Sequence, residues 1–375
     1  MIYLDHNATT RPDPQVVEAL AWASREAWGN PSTLYGAGRA AKAVLDRARE
    51  RVARLIGAPD PGQVVFTSGG TEADALALFG RLQLPGTGRH LVTTMVEHKA
   101  VLRSAARLEA EGVAVTYLPA DQAGRVDPRA VEDALRPDTA LVSVMLANNE
   151  VGTLQPVAEI ARICRDRGVP VHTDAVQACG KIPVDVEALG VDLLSLSGHK
   201  FHGPRGIGAL WVRPGLPLQP LLVGGTQERG LRAGTEPVAL AHALGVAAEL
   251  ARERLVEDGR RIAALRDRLW AGLRAAVPGV RRHGDPGRCL PNTWNVLVPG
   301  WEAEDLVLAL DREGIAVGTG SACTTGDTRP SHVLLAMGVP PAEARSSIRL
   351  SLGRDNTGEE IDRVVETLAR LARGR

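Results

Sequence analysis

The sequence predicts an α/β fold, with a large domain built on a mostly parallel sheet and a smaller α+β domain towards the C-terminus. Three observations lead to this. From residue 36 to about 212, short β-rich runs alternate with amphipathic helical patterns, as in a parallel sheet covered on both faces. The alternation stops at a long Ala/Leu/Arg-rich stretch, 236–276, beyond which strands and helices are mixed. A length of 375 residues also exceeds what one ordinary core organises.

Taken in order, residues 38–56 (GRAAKAVLDRARERVARLI) repeat apolar positions at three and four, which predicts a helix. QVVFTS (63–68) reads as a strand and TEADALALFGRL (71–82) as a helix. Further strands are expected at HLVTTM (90–95), VAVTYLP (113–119), TALVSVML (139–146), VPVHTD (169–174) and VDLLSLS (191–197), with helices at 99–111 and 157–167 among them. The long helix at 236–276 bridges to the second domain. There TWNVLVP (293–299), a helix at 303–313, SSIRLSLG (346–353) and a helix at 358–372 follow one another.

Lys plus Arg and Asp plus Glu number 44 each, so charge makes no case for nucleic acid or an anionic membrane as the main partner. No run approaches the roughly 18 apolar residues of a membrane span. The start, MIYLDHNATT, has no basic stretch followed by an apolar run, so no secretory leader is expected. The four cysteines, Cys164, Cys179, Cys289 and Cys323, form no CxxC pair. Neither a zinc site nor a disulfide framework is expected, and a reducing cytoplasm is the expected location.

In an open parallel sheet, ligands bind beyond the carboxyl ends of the strands. Five such ends carry unusual polar residues: TSGGTE (67–72), Glu97-His98, Asn148-Asn149, Asp174 with Gln177, and Ser197-Gly198-His199-Lys200. Small residues at Ser68-Gly69-Gly70-Thr71 suit an anion held by backbone N–H groups at a helix start, or an ordinary helix cap. Lys200, in a Gly/Pro-rich turn, is placed to lose solvent and form a Schiff base. Asp174 suits the ring nitrogen of pyridoxal phosphate (PLP), and His98 suits stacking on a flat ring with proton transfer; each also has a bland reading as a helix-start residue. Cys323, in the small-residue loop GTGSACTTGDTRPS (318–331), has the surroundings of a reactive thiol, whereas Cys164 and Cys179 read as packing residues. GAGRAA (36–41) matches a dinucleotide-binding pattern but follows NPSTLY where a strand should be, and is set aside.

With these residues in place, the chain resembles the cysteine desulfurases of the class V aminotransferase family, in the NifS/IscS-like group. The likeness runs through YLDHNATT (3–10), GNPS (29–32), TSGGTEADA (67–75), EHKAV (97–101), NNEVGTLQP (148–156), HTDAVQ (172–177), SLSGHKFHGPRGIGAL (195–210), RAGTE (232–236), GSAC (320–323) and SSIRLSLGR (346–354). It implies the fold-type I architecture of PLP-dependent transferases, with 14–257 as the large domain and 1–13 plus 258–375 as the small domain carrying the Cys323 loop.

The resemblance further implies a homodimer with its active sites at the interface. Gly70, Thr71, Ser197 and His199 would hold the cofactor phosphate, and Thr235 would reach the partner subunit's phosphate. His98 would stack on the ring, Asp174 would pair with its nitrogen, and Asn149 and Gln177 would lie on its oxygen side. Lys200 would hold the cofactor, Arg349 (with Asn149) would bind the substrate carboxylate, and Cys323 would receive the sulfur. The implied reaction converts L-cysteine to L-alanine and leaves a persulfide for a protein acceptor in iron–sulfur or thio-cofactor and tRNA biosynthesis. Selenocysteine lyase and aminotransferase chemistry remain alternatives on the same fold. Two positions depart from the family: Gly70, where Ala is common and a mild exchange is expected, and Tyr35, where His is common.

Overall fold

The computed structural model describes residues 1–319 and 330–374. Strands β1 (Ile2–Leu4), β2 (Val64–Thr67), β3 (His90–Thr94), β4 (Ala114–Leu118), β5 (Thr139–Ser143), β6 (Val171–Asp174), β7 (Leu193–Ser197) and β8 (Gly208–Val212) alternate with helices α1 (Pro14–Glu26), α2 (Gly36–Leu55), α3 (Gly70–Leu82), α4 (Lys99–Ala110), α5 (Pro128–Ala134), α6 (Val157–Asp166) and α7 (Val186–Leu189). Helix α8 (Val238–Ala276) leads to β9 (Arg281–His283), β10 (Thr293–Leu297), α9 (Ala303–Arg312), β11 (Ile315–Val317), α10 (His332–Ala336), α11 (Pro341–Arg345), β12 (Ser347–Ser351) and α12 (Gly358–Arg373). The expected helices and strands form within a few residues of their predicted bounds.

Seven strands make one sheet in the order β2-β8-β7-β6-β5-β3-β4. Only β8 runs against its neighbours; the β7, β6, β5, β3 and β4 pairings are parallel. Alternation along each strand divides two cores. Val64, Phe66, Leu194, Leu196, Ala209 and Trp211 face α2, α6 and the first half of α8. Val65, Leu193, Leu210 and Val212 face α3 and α4. Apart from the half-buried edge strand β4, the strands are buried along their whole length, polar residues such as His172 and Thr173 included.

The predicted run 139–146 closes as a strand at Ser143, yet the chain stays on its neighbour. Val144 N–H donates to His172 O (3.1 Å) and Leu146 N–H to Asp174 O (2.9 Å). This carries Asn148 and Asn149 to the level of the other strand ends. GAGRAA opens α2 with Tyr35 before it and no strand in front, as its context predicts.

Helix α8, 39 residues and so about 60 Å long, joins two apolar clusters. Its N-terminal half packs in the large sheet's core through Ala241–Ala251. Its C-terminal half contributes Leu269 and Leu273 to a separate core with Trp294, Leu306, Ile348, Leu350 and Ile361. That second core rests on an antiparallel sheet ordered β12-β10-β9 and on the parallel pair β1–β11. The N-terminal strand therefore belongs with the C-terminal elements, and the segment after it (residues 5–13) crosses back over the large sheet. Cys164 and Cys179 are fully buried, and burial pushes both thiols up to about 12.

Candidate active site

The five strand ends singled out in the sequence meet around one cavity of about 260 Å3. Gly70, Thr71, His98, Asn149, Asp174, Gln177, Ser197, His199 and Lys200 all line it, together with Ala8, Asp74, Met145 and Val176. Each side chain arrives there because a parallel strand ends beneath it, so the convergence is a property of the sheet.

The anion side is the turn between β2 and α3. Thr67 Oγ1 donates to Gly69 O (3.0 Å), and Ser68 N–H donates to Glu72 Oε2 (2.7 Å). Arg232 Nε donates to the other Glu72 oxygen (3.0 Å), tying the turn to the loop before α8. Helix α3 opens at Gly70 without a side-chain cap, so its first N–H groups remain available for an anion. A Cβ on Gly70 would lie 2.7 Å from Val176 Cγ2. Alanine at this position is therefore less mild than the sequence alone suggests, because Val176 already fills that space.

Asp174 ends β6 with one carboxylate oxygen accepting from Val176 N–H (2.9 Å). Burial pushes its carboxyl up to about 6, while that N–H and the Lys200 charge pull the other way. His98 caps α4: its Nδ1 accepts from Ala100 N–H (3.1 Å), which leaves the ring proton on Nε2. Burial, with help from Lys200, holds this imidazole down to about 4, so it is neutral near neutral pH. His199 Nδ1 lies 3.1 Å from Thr9 Oγ1, and burial likewise lowers it to about 4.

Lys200 Nζ donates to Asn7 O (2.7 Å) and Ala8 O (2.9 Å). Gln177 Nε2 donates to the same Asn7 carbonyl (2.9 Å), and Gln177 Oε1 accepts from Lys181 Nζ (2.6 Å). Lys181 Nζ also donates to Asn7 Oδ1 (2.9 Å). Asn7 thus sits between two lysine nitrogens. Burial together with the Lys200 and Arg349 charges holds Lys181 well below an ordinary lysine.

Arg349, buried on β12, donates from Nη1 to Asn149 O (2.9 Å) and from Nη2 to Asp5 Oδ1 (2.7 Å). It is joined to the cavity through Asn149 rather than lining it, and among the described residues its Nε has no partner. Thr235 lies apart, in a second pocket with Trp28, Gly29 and Asn30. Cys323 falls outside the described residues.

Three features escaped the sequence reading, and a fourth, Glu97, was named there only as a strand-end residue. Asp74 and Asn7 lie inside quoted motifs but were given no role, although Asp74, four residues after Gly70 on α3, shares its helix face. Lys181 and Glu97 are buried ionisable groups behind the visible cluster. Glu97 accepts from Thr94 Oγ1 (2.9 Å) and Met145 N–H (2.8 Å), and burial raises it to about 8. Its folded value lies above its unfolded one, so the unfolded chain releases the proton first and stability falls as pH rises from about 4.5 to 8. Glu97→Gln removes this penalty. Its melting temperature is expected to gain on that of the native protein across that range, by up to a few kcal/mol in stability; a constant difference would count against a neutral Glu97.

The donor set fits a phosphorylated, flat, ring-nitrogen cofactor such as PLP. The cavity's size is near the lower end of small-molecule sites. Its walls also carry two buried oxygens without protein partners, Asn149 Oδ1 and Asp74 Oδ1. Lys200, Asp174 and the α3 N-terminus stand at three sides of the space such a molecule would take.

Residues 2–364 match the family model described as aminotransferase class-V. The chain is 46% identical to the cysteine desulfurase IscS of Methanosarcina thermophila over 371 residues, covering 99% of this chain and 91% of that protein. It is also 46% identical to the cysteine desulfurase NifS of Azotobacter vinelandii, covering 97% and 90%. A solved NifS-like protein superposes with a TM-score of 0.93 at 39% identity, over the whole of both chains. By the length and identity of these matches, the chain belongs to the class-V aminotransferase family.

Proposed function

We propose that this protein is a PLP-dependent cysteine desulfurase that moves sulfur from L-cysteine to Cys323. The observation that carries the reading is the meeting of Lys200, Asp174 and the α3 N-terminus in one cavity, in a chain whose relatives are named cysteine desulfurases. When bound, the cofactor supplies an electron sink for the substrate Cα.

The protein's own residues then have separable tasks. The Gly70-Thr71 turn, Ser197 and His199 hold the phosphate, with Thr235 assigned to the partner subunit's phosphate. Asp174 keeps a negative charge at the ring nitrogen. Asn149 and Gln177 hold the ring's oxygen side, and Gln177 is itself fixed by Lys181 and Asn7. Lys200 binds the cofactor and, between turns, carries a proton near the substrate Cα. His98, neutral and protonated on Nε2, presents a donor over the ring. Arg349 orients the substrate carboxylate. Cys323, as a thiolate, attacks the substrate sulfur. An S–S bond forms, the Cβ–S bond breaks, and the carbon fragment takes up protons to leave as alanine. The persulfide passes to a protein acceptor for iron–sulfur cluster or thio-cofactor and tRNA biosynthesis.

Incubation with L-cysteine under reducing conditions is expected to give alanine and sulfide together, with a visible cofactor absorbance. Failure to form alanine would sink the reading; transamination of a keto acid would favour the aminotransferase alternative.

A homodimer fits the apolar side chains left on the surface: Trp28 is 73% exposed, Leu34 89%, Tyr35 58% and Val223 88%. Trp28 shares a pocket with Thr235, which brings this surface to a residue assigned across the interface. Light scattering is expected to return twice the monomer mass, and Trp28→Glu is expected to shift it towards the monomer. Among the described residues no helix is long and apolar enough to cross a membrane. We place the protein in the cytoplasm, where a catalytic thiol stays reduced.

A further inference from the structure

The mechanism above uses one of the two aspartates at the cavity and leaves the other without a role. Asp74 is 1% exposed and lines the same cavity as Asp174. One oxygen of each aspartate and one ring nitrogen of His98 lie within 4.8 Å of one another. Among the described residues Asp74 Oδ1 has no hydrogen-bond partner; its nearest cationic candidate, His172 Nε2, stands 3.6 Å away. That imidazole is already held between Ser143 Oγ and Ser195 Oγ, each at 2.9 Å, and burial keeps it neutral.

Two carboxylates this close in a dry site do not both ionise, so the pair holds a proton. The surroundings decide which member keeps it. Asp174 receives a backbone N–H from Val176 and faces the Lys200 charge, and both favour its anion. Asp74 faces Ser195, the neutral rings of His172 and His98, and two further acids, Asp174 and Glu97. In that set only the Ser195 hydroxyl favours a negative charge on Asp74, and burial with the two neighbouring acids outweighs it.

We propose that Asp74 is a positioning residue that carries the proton of the pair, leaving the single negative charge on Asp174 to meet the cofactor's ring nitrogen. The inference rests on the cofactor reading above. Asp74 acts as a neutral hydrogen-bonding wall beside Asp174: an ionised Asp74 would compete for the ring proton, and an apolar residue would leave Asp174 without its polar neighbour.

Asp74→Asn mimics the neutral acid, so its PLP dissociation constant is expected to stay within about threefold of native. Asp174→Asn removes the counter-charge and should weaken PLP at least about tenfold. Infrared spectra of native protein with 13C-labelled aspartate are expected to show an aspartic-acid C=O band near neutral pH; Glu97, unlabelled, does not shift with the label. The band should be lost in Asp74→Asn. Absence of the band in native protein, its survival in Asp74→Asn, or a tenfold loss of PLP affinity in that variant each overturns the proposal. Unchanged PLP binding in Asp174→Asn would instead overturn the cofactor reading, while the infrared band would still report on Asp74.

Discussion

Lys200→Ala is expected to yield a folded protein that loses turnover of L-cysteine by about 10³- to 10⁴-fold or more and lacks the visible absorbance of covalently held PLP. Folding should survive because little packing is removed. Asn7 O keeps its bond from Gln177, while Ala8 O loses its Lys200 donor. One unmade hydrogen bond costs about 1–3 kcal/mol, within the margin of a protein this size. Free PLP should still bind weakly through the α3 turn and Asp174. The measurements are absorbance after dialysis, alanine production, and melting temperature as the control. Retained absorbance after dialysis would remove Lys200 from its assigned role.

The second large effect is expected from Cys323→Ser. Cofactor absorbance and its response to added L-cysteine should match native, because none of the described residues lining the cavity changes. Alanine and sulfide should fall by several orders of magnitude, on the order of 10⁶-fold at the limit known for a lost nucleophile. No persulfide should be detected on the protein by mass spectrometry. This outcome separates sulfur transfer from the other reactions open to the fold, since an aminotransferase needs no thiol at that position. Sulfide release at the native rate would end the assignment of Cys323 as the sulfur acceptor.

The strands and helices around the cavity were legible because periodicity is a local property. Leu193–Ser197 and Val171–Asp174 are short β-rich runs in the sequence and buried throughout in the sheet, and α2 shows its stripe directly. The strand-end residues were legible for the same reason, because a parallel sheet brings its carboxyl ends together whatever the sequence distance between them. The conflict at Gly70 was not, because Val176 lies more than a hundred residues away and touches it only after β2 and β6 take their places.

Lys200 and Cys323 stand on different ground. The residue types and their positions after strands determine that Lys200, Asp174, His98 and the Gly70-Thr71 turn share one site, and composition alone marks the Cys323 loop. Tertiary structure decided the charge states. Asp74 and Asp174 become a pair only when α3 and β6 pack together, and His98 is kept neutral by burial first and by the Lys200 charge beside it. It also decided that Lys181 and Lys200 share Asn7, a residue nearly two hundred positions from either. Sequence carries local pattern and side-chain chemistry; desolvation and long-range pairing arise from packing, and they set where each proton resides.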